Sequence, residues 1–291
     1  MITRRESAIG LLALLAPVKG RGDPRRSSHD LQTPPEPRPL APEPFPGRAS
    51  AWGGGKRHDF LCEGRPAVVV APGGAPDSGR PWLWRAEFFG AFPSVDEALL
   101  ARGWHVAYLD CRNTFGSPET MRQWEGFYRQ LTERHGLDRK PVLLGMSRGG
   151  LYAYNWAAGH PDKVGLIYGD APVCDVKSWP GGKGKGKGSP KDWALFLKVY
   201  GLDEAQALRW QGNPIDRLGP IARARIPILH LVGDADDVVP VEENTAVLQR
   251  RYRQLGGRIE VIVKTGVGHH PHALPDPTPV VDFIVKHRLR G

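Results

Sequence analysis

An α/β fold with a mainly parallel central sheet and helices on both faces is what this chain of 291 residues predicts, and three observations carry the prediction. Short apolar runs alternate with amphipathic, helix-spaced segments through most of the chain, the pattern of strands joined by crossover helices. Ala67-Val68-Val69-Val70-Ala71 is almost continuously apolar, as expected of a strand buried on both faces. Leu143-Leu144-Gly145-Met146-Ser147-Arg148-Gly149-Gly150 reads as an apolar strand that turns abruptly into a helix with a serine at the apex. A hydrophobic content of 40% in this length suits one large domain better than two small ones.

Taken in order, the first 16 residues pair Arg4-Arg5 with the apolar run Ile9 to Ala16 and resemble a bacterial twin-arginine export signal. The run is too short for a permanent span, which takes about 20 apolar residues, and no later segment offers one. Residues 17–50 are rich in proline, as in Pro34-Pro35-Glu36-Pro37-Arg38-Pro39, which removes backbone donors and favours an extended, disordered spacer. The globular domain is therefore expected over residues 51–291. His58 to Cys62 and Ala67 to Ala71 are its first strands. Pro81 to Phe89 is expected as an aromatic loop in which Trp82, Trp84 and Arg85 offer ring faces and a cation to a sugar-like substrate, or else a lid that packs on the core with an internal Arg85–Glu87 contact. Val95 to Arg102 is predicted helical, Trp104 to Asp110 a strand, Pro118 to His135 a helix, and Val164 to Tyr168 a strand.

Residues 171–225 break the alternation and are expected as a cap inserted between two core strands, with Trp179, Trp193 and Trp210 along it and Trp179 a candidate substrate contact. Inside lies Gly181-Gly182-Lys183-Gly184-Lys185-Gly186-Lys187-Gly188-Ser189. It lacks the hydroxyl after lysine and the preceding strand of a phosphate loop, and is read as a mobile, solvated turn, the alternative being an electrostatic gate. Ile228 to Val232 is a strand, Glu242 to Leu255 a helix, Ile259 to Val263 a strand, and Pro279 to Arg288 a closing helix.

The segment around Ser147 has the GxSxG form of a nucleophile elbow, in which a strained turn projects the serine hydroxyl from the sheet edge. Over about residues 56–291 the chain resembles the α/β-hydrolase superfamily, in its serine esterase, lipase and peptidase branch. That resemblance implies the chain order nucleophile, acid, histidine, each on a loop at the carboxyl end of a strand. Gly233-Asp234-Ala235-Asp236-Asp237-Val238-Val239-Pro240 matches the acid loop and selects Asp236. Asp234 and Asp237 are its neighbours, and Asp170 is the second choice. Gly268-His269-His270-Pro271-His272 supplies the base, His269, with His270 and His272 close by. The resemblance also implies an oxyanion hole made by the Arg148 amide and an amide after the Ala67 to Ala71 strand, from Gly73, Gly74 or the loop beyond.

These residues imply a serine hydrolase that cleaves a carboxylic ester through an acyl-enzyme, without a cofactor. A carbohydrate or other polar ester is favoured by the tryptophan-rich segments. The alternatives are a peptidase or amidase of the same fold and a non-catalytic binding protein on that scaffold. The histidine loop has no acidic or cysteine partner at a zinc-ligand spacing, so no metal is expected. Of the formal charge of +9, three units fall in residues 1–50 and no nucleic-acid motif accompanies the rest. Three scattered cysteines, Cys62, Cys111 and Cys174, allow one disulfide at most. The export signal implies a periplasmic or extracellular location.

Overall fold

The computed structural model describes residues 42–291. The export signal and the first part of the proline-rich spacer lie outside the described residues. Strands β1 (Arg48–Trp52), β2 (Gly55–Cys62) and β3 (Arg65–Ala71) form an antiparallel meander. Its turns are two residues long, Gly53-Gly54 and Glu63-Gly64, all at positive φ between 51° and 78°. That backbone matches strand twist and is cheap only where glycine supplies most of it. The spacer therefore ends earlier than expected. Ordered chain precedes residue 51: the Glu43 amide donates to the Arg134 carbonyl, and the Phe45 ring meets those of His58, His105 and His135.

Six parallel strands follow: β4 (Trp82–Arg85), β5 (His105–Leu109), β6 (Val142–Met146), β7 (Leu166–Asp170), β8 (Ile228–Gly233) and β9 (Ile259–Lys264). The nine-stranded order is β1-β2-β3-β5-β4-β6-β7-β8-β9, with β3 antiparallel to β5. Alternate residues of each parallel strand feed two apolar layers. On one side Leu83, Val106, Leu144 and Leu229 pack beneath α1 (Ser94–Ala101) and α8 (Thr278–His287). On the other, Trp84, Ala107, Leu143 and Ile228 pack beneath α2 (Pro118–Arg129) and α3 (Gly149–Gly159), joined by α6 (Leu218–Arg223) and α7 (Thr245–Gln254).

Trp82 to Arg85 is not a surface loop but a strand between β5 and β6, and all four residues are buried. Trp84 stacks on Trp124 with centroids 4.2 Å apart and meets the edge of Trp156, so the tryptophans are core and not substrate contacts. Arg85 is wholly buried as well. Its partner is not Glu87 but the equally buried Asp96 on α1, at 2.6 Å, and it also donates to the Ala91 carbonyl at 2.8 Å.

The region between β7 and β8 forms α4 (Pro190–Tyr200) and α5 (Glu204–Leu208) before α6, and all three feed one apolar cluster, through Phe196, Ala207, Leu218 and Ile221. Trp193 and Trp210 pack into an aromatic cluster with Phe196 and Tyr200. The lysine-glycine loop is tied down. Lys187 pairs with Asp237 at 2.5 Å, Lys183 with Glu204 at 2.6 Å, and Gly186 is buried against Pro240. The three cysteines are free and buried. Burial pushes the Cys62 thiol up to about 11 and Cys111 to about 12, which keeps both as unreactive thiols at neutral pH. No helix among the described residues is long and apolar enough to cross a membrane.

Candidate active site

Ser147 follows the last residue of β6 at φ 48°, a left-handed conformation that a serine adopts only when its surroundings enforce it. They do so through three backbone hydrogen bonds. Its amide donates to the Asp170 carbonyl at 2.8 Å, and its carbonyl accepts from Gly150 at 3.0 Å and Val173 at 2.9 Å. The glycines that permit the crossing are Gly145 and Gly150. A Cβ on Gly145 would lie 2.9 Å from the Gly150 Cα, and one on Gly150 would lie 2.6 Å from the Val173 carbonyl oxygen. Gly149 is less crowded, its nearest neighbour being the Ala86 Cβ at 3.4 Å.

Because β6, β8 and β9 run parallel, the loops after them meet at one edge. Ser147 Oγ is 3.0 Å from His269 Nε2, and His269 Nδ1 is 2.7 Å from Asp236 Oδ2. The other Asp236 oxygen accepts the amides of Val238 at 2.9 Å and Val239 at 2.8 Å, which fixes the carboxylate plane. Burial pushes Asp236 up, but the hydrogen bonds from His269 and these amides outweigh it and hold the carboxyl below its ordinary range. An ionised acceptor on Nδ1 leaves Nε2 as the basic nitrogen facing the serine. Of the other acid candidates, Asp234 accepts the Gly266 amide, Asp237 pairs with Lys187, and Asp170 faces a different imidazole.

That imidazole is His272, whose Nδ1 lies 2.9 Å from Asp170 Oδ1 in a buried pair, while Asp170 Oδ2 accepts the Ala273 amide at 2.7 Å. The exposed His270 completes a group of three rings with centroids 4.8 to 5.0 Å apart. Burial, then the neighbouring imidazoles, lowers the His270 pKa.

The glycine turn expected to complete the oxyanion hole is elsewhere. Gly73 and Gly74 follow β3, and β3 runs opposite to β5, with Val70 paired to Val106 near the start of β5. They therefore emerge at the amino ends of the parallel strands, roughly 15 Å of strand away from Ser147. The loop at the correct edge follows β4 and spans residues 86–93. Phe88, at φ 55°, Ala91 and Phe92 from this loop line a cavity of about 250 Å³ together with Ser147, Met146, Trp179, Val238 and the three histidines. Trp179 is thus the one expected substrate contact that reaches the nucleophile. Arg148 opens α3, so its amide has no intrahelical acceptor. Its guanidinium donates to the buried Glu87 at 3.1 Å, lies 5.2 Å from the Phe88 ring centre and approaches Asp192 of α4 at 3.8 Å. Glu87 also accepts the Tyr152 hydroxyl at 2.7 Å. Neither the Arg148–Glu87 pair nor the Asp170–His272 pair is legible in the sequence, since each joins elements that meet only in the fold.

The solved structures similar to this chain include a puromycin hydrolase, at 19% identity and TM-score 0.60 over 78% of this chain and 37% of that one. Porphyromonas gingivalis dipeptidyl peptidase 4 matches at 14% and 0.62, covering 80% of this chain and 36% of its own. A bifunctional GH43-CE protein of Bacteroides eggerthii matches at 18% and 0.62, covering 79% and 38%. The chain spans little more than a third of each of these neighbours, and at such identities the likeness is one of fold. No curated protein matches the chain in sequence. A family model described as "Alpha/beta hydrolase family" matches residues 68–283, most of the described domain. With an elbow serine on β6 and this sheet order, the chain belongs to the alpha/beta hydrolase family.

Proposed function

We propose that the protein is a serine hydrolase that cleaves a carboxylic ester through an acyl-enzyme intermediate. The observation that carries this reading is the unbroken hydrogen-bonded line from Ser147 Oγ through His269 to Asp236, opening on the small cavity. His269 Nε2 takes the hydroxyl proton as Ser147 Oγ attacks the carbonyl carbon, and Asp236 stabilises the imidazolium. The Arg148 amide and an amide of the 86–93 loop, which we assign to Phe88, face the oxygen on which negative charge develops. His269 then protonates the leaving alcohol, and a water activated by the same nitrogen releases the acid.

The cavity walls nearest Ser147 are mostly apolar: Phe88, Ala91, Phe92, Trp179 and Val238. No lysine, arginine or carboxylate lines it, which suits a small uncharged acyl group over a charged peptide terminus. The Trp179 ring supports a cyclic polar alcohol such as a sugar on the leaving side. The amide reading uses the same triad, so the test is a panel of acetyl, methyl-uronate, feruloyl and short aliphatic esters beside a peptide amide. Ester turnover that vanishes in Ser147→Ala, with the peptide amide untouched, supports the proposal. Faster cleavage of the amide than of every ester would reverse it in favour of a peptidase.

We further propose that the protein acts outside the cytoplasm, on the strength of the paired-arginine start and the apolar run behind it. Cell fractionation of the full-length chain tests this against a form with Arg4 and Arg5 both replaced by lysine. Retention of the wild type in the cytoplasm would refute it.

A further inference from the structure

The histidine loop, set aside as a metal site on sequence grounds because it lacked acidic partners, acquires two of them through the fold. Asp236 from the β8 loop holds His269 Nδ1 at 2.7 Å, and Asp170 from the end of β7 holds His272 Nδ1 at 2.9 Å. A carboxylate on one ring nitrogen fixes the tautomer and presents the other nitrogen as a lone-pair donor, the arrangement that orients metal-bound histidines. Both rings line the same cavity, as does the exposed His270. One nitrogen from each of the three lies within 4.8 Å of those of the other two, the one such cluster of three among the described residues.

We propose that His269, His270 and His272 bind one borderline-soft divalent metal ion, Zn²⁺ or Cu²⁺, and that its occupancy switches the hydrolase off. Three imidazoles are the donor set such ions prefer, whereas Mg²⁺ and Ca²⁺ require oxygen ligands. Zinc–nitrogen bonds of about 2.0–2.1 Å in a tetrahedral site put the ligand atoms about 3.4 Å apart, so a pair at the 4.8 Å limit must close by roughly 1.4 Å. His270, exposed and anchored by no carboxylate, is the ring free to make that movement. The ion takes the Nε2 lone pair of His269, which accepts the Ser147 proton in the free enzyme. Metal binding and attack by Ser147 therefore exclude each other. The fourth coordination position is left to water.

The binding part of this inference stands on geometry alone, and only the inhibition rests on the proposed function. The two are separated by measuring them apart on untagged full-length protein. Zn²⁺ binding is read by competition with a chromophoric chelator, for the wild type and for Ser147→Ala, His270→Ala and His272→Asn. One ion per chain is expected in the wild type and in Ser147→Ala, with at least tenfold weaker binding in the two histidine variants. Labelling of Ser147 by a fluorophosphonate is then followed against Zn²⁺ and Mg²⁺. It is expected to stop at Zn²⁺ concentrations that fill the site and to be indifferent to Mg²⁺. Absence of stoichiometric Zn²⁺ binding, or equal affinity in both histidine variants, overturns the site. Full labelling with the site filled overturns the switch. A wild type that binds Zn²⁺ but never labels would leave the site standing and remove the proposed function instead.

Discussion

Arg148 and Glu87 form an ion pair of 3.1 Å that ties the residue after the elbow serine to the loop after β4. Glu87 is almost wholly buried and also receives the Tyr152 hydroxyl. Burial pushes its carboxyl upward, with Arg148 and Tyr152 pulling the other way. The pair fixes the spacing between the two backbone segments assigned to the oxyanion hole, and Arg148 carries the link on towards α4 through Asp192.

Glu87→Gln keeps the shape and the Tyr152 contact but weakens the hold on Arg148. Small misplacements of oxyanion donors are costly, so kcat is expected to fall about 10- to 100-fold with KM little changed. Steady-state kinetics on an ester that the wild type turns over checks this. An unchanged kcat would show that Glu87 serves packing alone.

Arg85 is the counterpart in the core. The sequence points it at substrate, whereas the fold buries it against Asp96 and the Ala91 carbonyl, where it shapes the same loop from beneath. Removing one partner of a buried ion pair strands the other, so Arg85→Met is expected to lower the unfolding free energy by about 3–5 kcal/mol. Urea denaturation measures it. A variant of wild-type stability with a raised KM would restore the substrate-contact reading.

Two buried histidines set a pH dependence of stability. Burial, the main cause, lowers the pKa of His105 to about 4 and that of His230 to about 3, against an ordinary 6.5. Between about pH 6.5 and 4 the unfolded chain therefore binds protons that the folded chain refuses. Stability falls as pH falls through that window, with a slope of up to about 1.4 kcal/mol per unit for each histidine. Urea midpoints at pH 7 and pH 5 should differ accordingly, and His105→Gln should flatten the difference. An identical slope in that variant would remove His105 from the account.

Much of this architecture was legible because a parallel sheet covered on both faces writes itself as continuous apolar runs. β3 and β5 to β9 all fall on segments read as strands, and Ser147, Asp236 and His269 converge as the chain order implied. β4 escaped notice because a four-residue strand containing a charged residue imitates a loop. Its partner Asp96 looked like an ordinary acid in the first turn of a helix. The oxyanion segment was misplaced for a topological reason. Strand direction is not written in the residues of β3, and only its antiparallel pairing with β5 reveals that Gly73 and Gly74 face away. Asp170 was visible as a candidate acid, but its partner His272 stands 102 positions later and meets it only in the fold.

Every step of the proposed reaction starts from Ser147 as a nucleophile activated by His269. The most direct measurement is intact-mass and peptide mapping after exposing the folded protein to a fluorophosphonate probe. One adduct per chain is expected, located on Ser147, absent from Ser147→Ala and strongly slowed in His269→Ala. A folded wild-type protein that takes up no label, or takes it up equally at other serines, would contradict it.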